Sequence, residues 1–236
     1  MQQAVAMARN LSHPFTLAWV LGAAGELNWN RGEKLAAQGL WEERVILCSQ
    51  QGFKPLLASA SVWLGFVLVE HGQDKDGIAQ MHDALYRMTD GSPVGDKLLG
   101  LSLLALALGK VGQADQGLAK IEEALALAPK TKRSGYEGDL YLVKGQLLLM
   151  KDADGLRKAQ QSFRTAIGIA RKQSAKSWEL RATTSLAWLL SKHHKRSEAH
   201  TMLADIYGWF TEGFDTADLK QAKALLEELN GLAPDG

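Results

Sequence analysis

Cysteine is nearly absent from this 236-residue chain, where Cys48 stands alone. One thiol can form no intrachain disulfide and build no cysteine zinc site. It fits a reducing compartment. Excess charge of either sign is also missing: Lys+Arg is 27 and Asp+Glu is 26, a formal net charge of +1. Such a chain lacks the basic surface that nucleic-acid or anionic-membrane binding requires. The longest apolar stretches, 58–69 and 98–108, fall well short of the roughly 18–20 residues that span a bilayer. Residues 1–10 carry one cation, Arg9, with no long apolar run behind it, so they do not read as a secretion signal. The expectation is a cytoplasmic protein with neither nucleic acid nor membrane as partner. No run alternates apolar and polar β-formers, so no sheet is expected.

What is present is a repeat. Residues 61–68 (SVWLGFVL), 101–108 (LSLLALAL), 141–148 (YLVKGQLL) and 183–190 (TTSLAWLL) align on the small residues Gly65, Ala105, Gly145 and Ala187, spaced by 40, 40 and 42. Counting back 40 from Gly65 gives Gly25. Seven residues after the anchors come Gly32, Gly72, Gly112 and His194, which read as turns. Nineteen after them come Ala84, Ala124 and Ile206, the core of a second helix, with Arg44 a poor match. Gly117, Ile121, Ala124 and Leu125 share one helical face, as do Ala159, Phe163, Ala166 and Ile167. The five prolines (14, 55, 93, 129 and 234) fall between units or at the tail, with Pro14 and Pro55 in helical first turns.

Each unit therefore reads as helix, turn, helix, giving about twelve helices. A lone pair cannot bury both apolar faces, so the units must stack. Ala105, Gly112, Gly117, Ile121, Ala124 and Pro129 fit the tetratricopeptide (TPR) pattern, at a period of 40 instead of the usual ~34. The fold expected is an all-α, right-handed, TPR-like α-solenoid forming one domain, 1–236. It has a half repeat at 1–12, repeats at 13–53, 54–93, 94–133, 134–174 and 175–210, and a C-terminal capping helix at 215–231. Asp215 or Thr216 would N-cap that helix and Gly231 would stop it. The half repeat is expected either to cap the array or to mark a piece of a longer protein. Its apolar face also makes a homo-oligomer through the N-terminal face an option.

Catalytic and metal chemistry finds little support. His193, His194 and His200 do not have zinc-ligand spacing and sit in a Lys/Arg-rich turn. The segments 152–155 and 74–77 (DADG and DKDG) lack the other ligands of a calcium loop. The pairs Glu42-Glu43, Glu122-Glu123 and Glu227-Glu228 diverge on their helices by about 100° and form no dyad. Cys48 has no base constellation around it and reads as a buried apolar residue. No metal, no cofactor and no enzyme activity are expected.

Residues 170–182 (ARKQSAKSWELRA) and 207–219 (YGWFTEGFDTADL) resemble the TPR-like C-terminal region of bacterial proteins that join a class III adenylate/guanylate cyclase to an AAA/STAND-type ATPase. Residues 11–15 (LSHPF), 50–53 (QQGF) and 137–149 (EGDLYLVKGQLLL) agree with it. The resemblance covers nearly the whole chain. In those proteins the cyclase and nucleotide-binding modules lie upstream, and neither is encoded here; no phosphate loop is present. What it implies is a regulatory or partner-binding role.

The expected function is thus a noncatalytic protein-interaction module, part of or derived from such a signalling protein. The alternatives are a small-molecule-sensing solenoid and a stand-alone adaptor that self-associates. In TPR arrays the first helices line the concave groove. That register selects Trp19, Glu26, Trp29, Phe66, Glu70, Lys110, Asp139, Gln146, Arg181, Trp188 and Lys192, with aromatic anchors among charges, to receive a protein or peptide.

Overall fold

The computed structural model describes residues 2–88, 92–128, 134–151 and 155–231. Among these the chain is helical throughout, with no strand. Two compact units emerge, Met1–Gln113 and Ala114–Gly236. The first holds α1 (Gln2–Asn10), α2 (Pro14–Arg31), α3 (Lys34–Gln51), α4 (Lys54–Glu70), α5 (Asp74–Tyr86) and α6 (Val94–Lys110). The second holds α7 (Ala114–Leu127), a 3₁₀ turn (Ser134–Tyr136), α8 (Glu137–Lys151), α9 (Gly155–Lys172), α10 (Lys176–Ser191), α11 (Arg196–Tyr207) and α12 (Ala217–Gly231). Pro129, Pro234 and residues 152–154 of the DADG segment lie outside the described residues.

The helices recur at the spacing of the sequence repeat. α2, α4 and α6 begin 40 residues apart, as do α3 and α5. One turn chemistry ends six of the twelve described α-helices. Gly32, Gly52, Gly72 and Gly112 have φ of 71–86°, and Ser174 and His194 take the same left-handed conformation at 55° and 56°. The residue after each donates its N–H back to the helix: Glu33 to Asn28, Phe53 to Cys48, Gln73 to Leu68, Gln113 to Leu108, Ala175 to Ala170 and Lys195 to Leu190, all at 2.8–3.1 Å. These are Schellman closures. Glycine enters the left-handed region without strain, whereas serine and histidine meet a Cβ clash there.

The small anchors make room for large partners. A Cβ on Gly25 would lie 2.3 Å from Trp41 Nε1, on Gly65 2.6 Å from Met81 Cγ, and on Gly145 2.4 Å from a Phe163 ring carbon. Trp41, Met81 and Phe163 are fully buried. First and second helices differ in kind. α4 and α6 bury residues around most of their circumference, which is why 58–69 and 98–108 read as unbroken apolar runs. α9 buries one stripe (Ala159, Ser162, Phe163, Ala166, Ile167, Ala170) and keeps its other face polar. Among the described residues no helix is long and apolar enough to cross a membrane.

Candidate functional site

In the first unit α2, α4 and α6 carry six of the predicted groove residues. Trp19 is 44% exposed. Trp29 is half-buried and packs its ring 5.8, 6.0 and 5.7 Å from those of Trp41, Trp63 and Phe66. Trp41 and Trp63 stack at 4.4 Å and 13°. Phe66 is only 4% exposed, so it supports Trp29 from below and offers little surface to a partner. Glu70, at the C-terminal end of α4, is a poor place for a lone carboxylate beside the helix dipole. It is held by Lys34 at 2.7 Å and by Lys110. The same ammonium groups lie over aromatic faces, Lys34 Nζ 5.0 Å from the Trp29 ring and Lys110 Nζ 6.0 Å from Phe66. Burial, with repulsion from Lys34, pushes the Lys110 ammonium below its ordinary pKa.

Beneath this surface lies a charge cluster: Glu26, expected to face the groove, is half-buried and interacts with Arg44 and Asp96, a link the sequence did not show. Arg44, on α3, is 3% exposed. Its Nε has no hydrogen-bond partner among the described residues. It fits because Gly22 leaves a slot: a Cβ there would fall 2.5 Å from Arg44 Nη1. Glu26 faces the same region, and burial pushes its carboxyl up to about 7, with Arg44 lowering it and Asp96 raising it. The Trp63 indole N–H also favours the ionised form, although it closes no complete hydrogen bond. Asp96, on α6, is likewise raised by burial against the pull of Arg44 and the Ser59 hydroxyl. Cys48 is fully buried, and burial raises its thiol pKa despite Arg44, so the thiolate is disfavoured. The signal for Arg44 was present in the repeat: a charged side chain where the other units place Ala or Ile.

In the second unit the structure brings two predicted residues together. Gln146 of α8 and Trp188 of α10 line one cavity of about 420 Å³ with Leu149, Met150, Phe163, Thr184, Ser185 and Gln221. Trp188 is 46% exposed. Gln221 belongs to α12, the helix expected only to cap. That helix also receives Arg181, which pairs with Asp218 at 2.7 Å, and Lys192, 3.8 Å from Glu228. The Arg181 guanidinium lies 5.0 Å from the Trp178 ring, and Lys192 Nζ lies 5.9 Å from Trp188. Asp139 sits half-buried in the first turn of α8, away from those cavity walls. Among the described residues no three His, Cys, Asp or Glu side chains converge as a metal site.

No protein-family model matches the sequence. No curated protein matches it either. Solved structures do. The nearly identical TPR-like repeats of a Podosopora anserina kinesin light chain share 16% identity at a TM-score of 0.55, covering 94% of this chain and 99% of that one. NprR in complex with its cognate peptide NprX shares 16% identity at a TM-score of 0.68, covering 94% of this chain and 63% of that one. BtubC from P. vanneervenii shares 15% identity at a TM-score of 0.52, covering 100% of this chain and 94% of that one. These likenesses show the fold: an all-helical, TPR-like repeat fold.

Proposed function

We propose that the protein is a noncatalytic interaction module whose first-helix faces receive a protein or peptide. The observation that carries this reading is the pair of exposed tryptophans on those helices, Trp19 and Trp188, each a large side chain left 44–46% open in a fold that buries Trp41 and Trp63. Aromatic anchors beside charged side chains are what binding hot spots are made of. The peptide-bound NprR structure supports the same direction. In this proposal the eleven groove residues act in one interaction domain with the repeat boundaries given above. Phe66 serves as support, and no metal or cofactor takes part. The residues 170–182 and 207–219 support a regulatory role in, or descent from, a bacterial cyclase–ATPase signalling protein of the cytoplasm. A second reading, self-association through the N-terminal face, is favoured by Met7 and Leu11, 67% and 66% exposed.

The test is a display selection of random dodecapeptides on the immobilised full chain. Affinity of the selected peptides is then measured for Trp19→Ala, Trp188→Ala and Tyr86→Ser. Tyr86 lies on the second-helix side and is 89% exposed. Loss of about tenfold or more in an inner-face variant, with Tyr86→Ser unchanged, is expected. Equal affinity for all three variants overturns the proposal.

A further inference from the structure

We infer that the cavity between α8, α10 and α12 is a subsite for an uncharged peptide segment, taking one large apolar side chain while the Gln146 and Gln221 amides bind the adjoining main chain. The inference rests on the interaction reading above and gives it a ligand chemistry.

Among the described residues the lining carries no charged side chain. Two cations, one on α10 and one at its C-cap, are already engaged: Arg181 pairs with Asp218, and Lys192 lies 5.9 Å from the Trp188 ring and 3.8 Å from Glu228. A charged ligand group would leave water here without a counter-charge.

The hydrogen-bonding capacity left over is specific. Thr184 donates its hydroxyl hydrogen to the Leu180 carbonyl at 2.8 Å, and Ser185 to the Arg181 carbonyl at 3.1 Å. Each hydroxyl has used its hydrogen in this way and can offer a ligand only acceptor lone pairs. A ligand carboxylate would meet lone pair against lone pair. Gln146 and Gln221 have no partner among the described residues, and each amide offers both a donor and an acceptor. A peptide unit, one N–H and one C=O, matches such an amide in both senses.

Met150 and Trp188, 51% and 46% exposed, supply the apolar surface, and Phe163, fully buried, backs them without offering surface of its own. The volume of about 420 Å³ sits in the lower part of the ~300–1,000 Å³ range of ligand sites, room for one large side chain and its backbone. Gly145, whose missing Cβ would stand 2.4 Å from the Phe163 ring, leaves the room for that backing. Methionine adapts to differently shaped apolar groups.

The probe is a positional-scanning array of N-acetylated, C-amidated hexapeptides, incubated with the full chain. Wild type is expected to favour Leu, Ile, Met or Phe at one position, with a loss of about tenfold when Asp, Glu or Lys replaces it. The double variant Gln146→Ala/Gln221→Ala is expected to lose about tenfold on every bound sequence alike, because it removes main-chain contacts. Met150→Ala is expected to shift the preference towards larger side chains, a change of selectivity that loss of fold does not produce. Absence of any bound hexapeptide, a preference for charged residues, or undiminished binding by the double variant overturns the subsite. Dodecapeptides selected above that lose affinity in Trp19→Ala but not in the double variant would refute the subsite and leave the interaction reading standing.

Discussion

Gly145→Ala separates the packing account from a simple count of helix propensity. Gly145 lies inside α8. By propensity alone, alanine there should stabilise the helix by about 0.8–1.0 kcal/mol. The structure says otherwise. The new Cβ would lie 2.4, 2.6 and 2.9 Å from three Phe163 ring carbons, roughly 1 Å inside ordinary contact distance. Phe163 is fully buried and its ring cannot bend away. Overpacking of this kind costs about 1–3 kcal/mol, and a rigid ring belongs at the upper end. The net expectation is destabilisation by about 1–2 kcal/mol. Gly168, in α9, is the internal control, since a Cβ there meets nothing within 4 Å among the described residues. Gly168→Ala should stabilise by about 0.5–1 kcal/mol. Urea denaturation of the full chain measures both. Adding Phe163→Leu to Gly145→Ala should cost less than the sum of the two single changes. If Gly145→Ala stabilises as much as Gly168→Ala, the anchor argument fails.

Glu26→Gln tests the buried cluster. The carboxyl is raised from 4.5 to about 7, so its ionisation costs about 3 kcal/mol in the folded state. The favourable protonated form is fully present below pH 4.5 and lost as pH rises through 7. The variant should therefore gain up to about 3 kcal/mol at pH 8 and change little at pH 4 in chemical denaturation. A gain at pH 4 equal to that at pH 8 would contradict it. Glu179 has the opposite sign. Burial raises its pKa, but bonds from Lys176 and Arg171 at 2.8 and 2.7 Å outweigh that and hold it below the ordinary carboxylate range. Its contribution is present above that ordinary range and lost as pH falls through the folded pKa. Glu179→Gln should flatten the acid limb of the stability profile, and an unchanged limb would contradict the assignment. Tyr86→Ser, at a side chain 89% exposed, should shift stability by no more than about 0.5 kcal/mol in the same denaturation experiment.

The helical repeat was legible because its spacing is carried by residues with few substitutes. Gly32, Gly72 and Gly112 do adopt positive φ, as does His194. Gly25, Gly65 and Gly145 each lie against a bulky second-helix side chain. Ser12 and Ser174 take the left-handed turn with no such signal, since serine is common in loops of any geometry. The candidate site was legible only at its rim. Trp19 and Trp188 could be placed by register, but the register could not show that Phe66 is covered by its neighbours. Nor could it show that Glu26, Arg44 and Asp96 interact across three helices, because tertiary packing alone brings residues 52 positions apart together. Gln221 was hidden in a helix whose apolar stripe described only its buried side.

The central claim is that the first-helix faces, and not the second-helix faces, receive the partner. Isothermal titration of one selected dodecapeptide into wild type, Trp188→Ala, Trp19→Ala and Tyr86→Ser tests it most directly. The account predicts a loss of about tenfold or more in at least one tryptophan variant and none in Tyr86→Ser. Weakening by Tyr86→Ser alone would place the contact on the opposite side of the helices and contradict it.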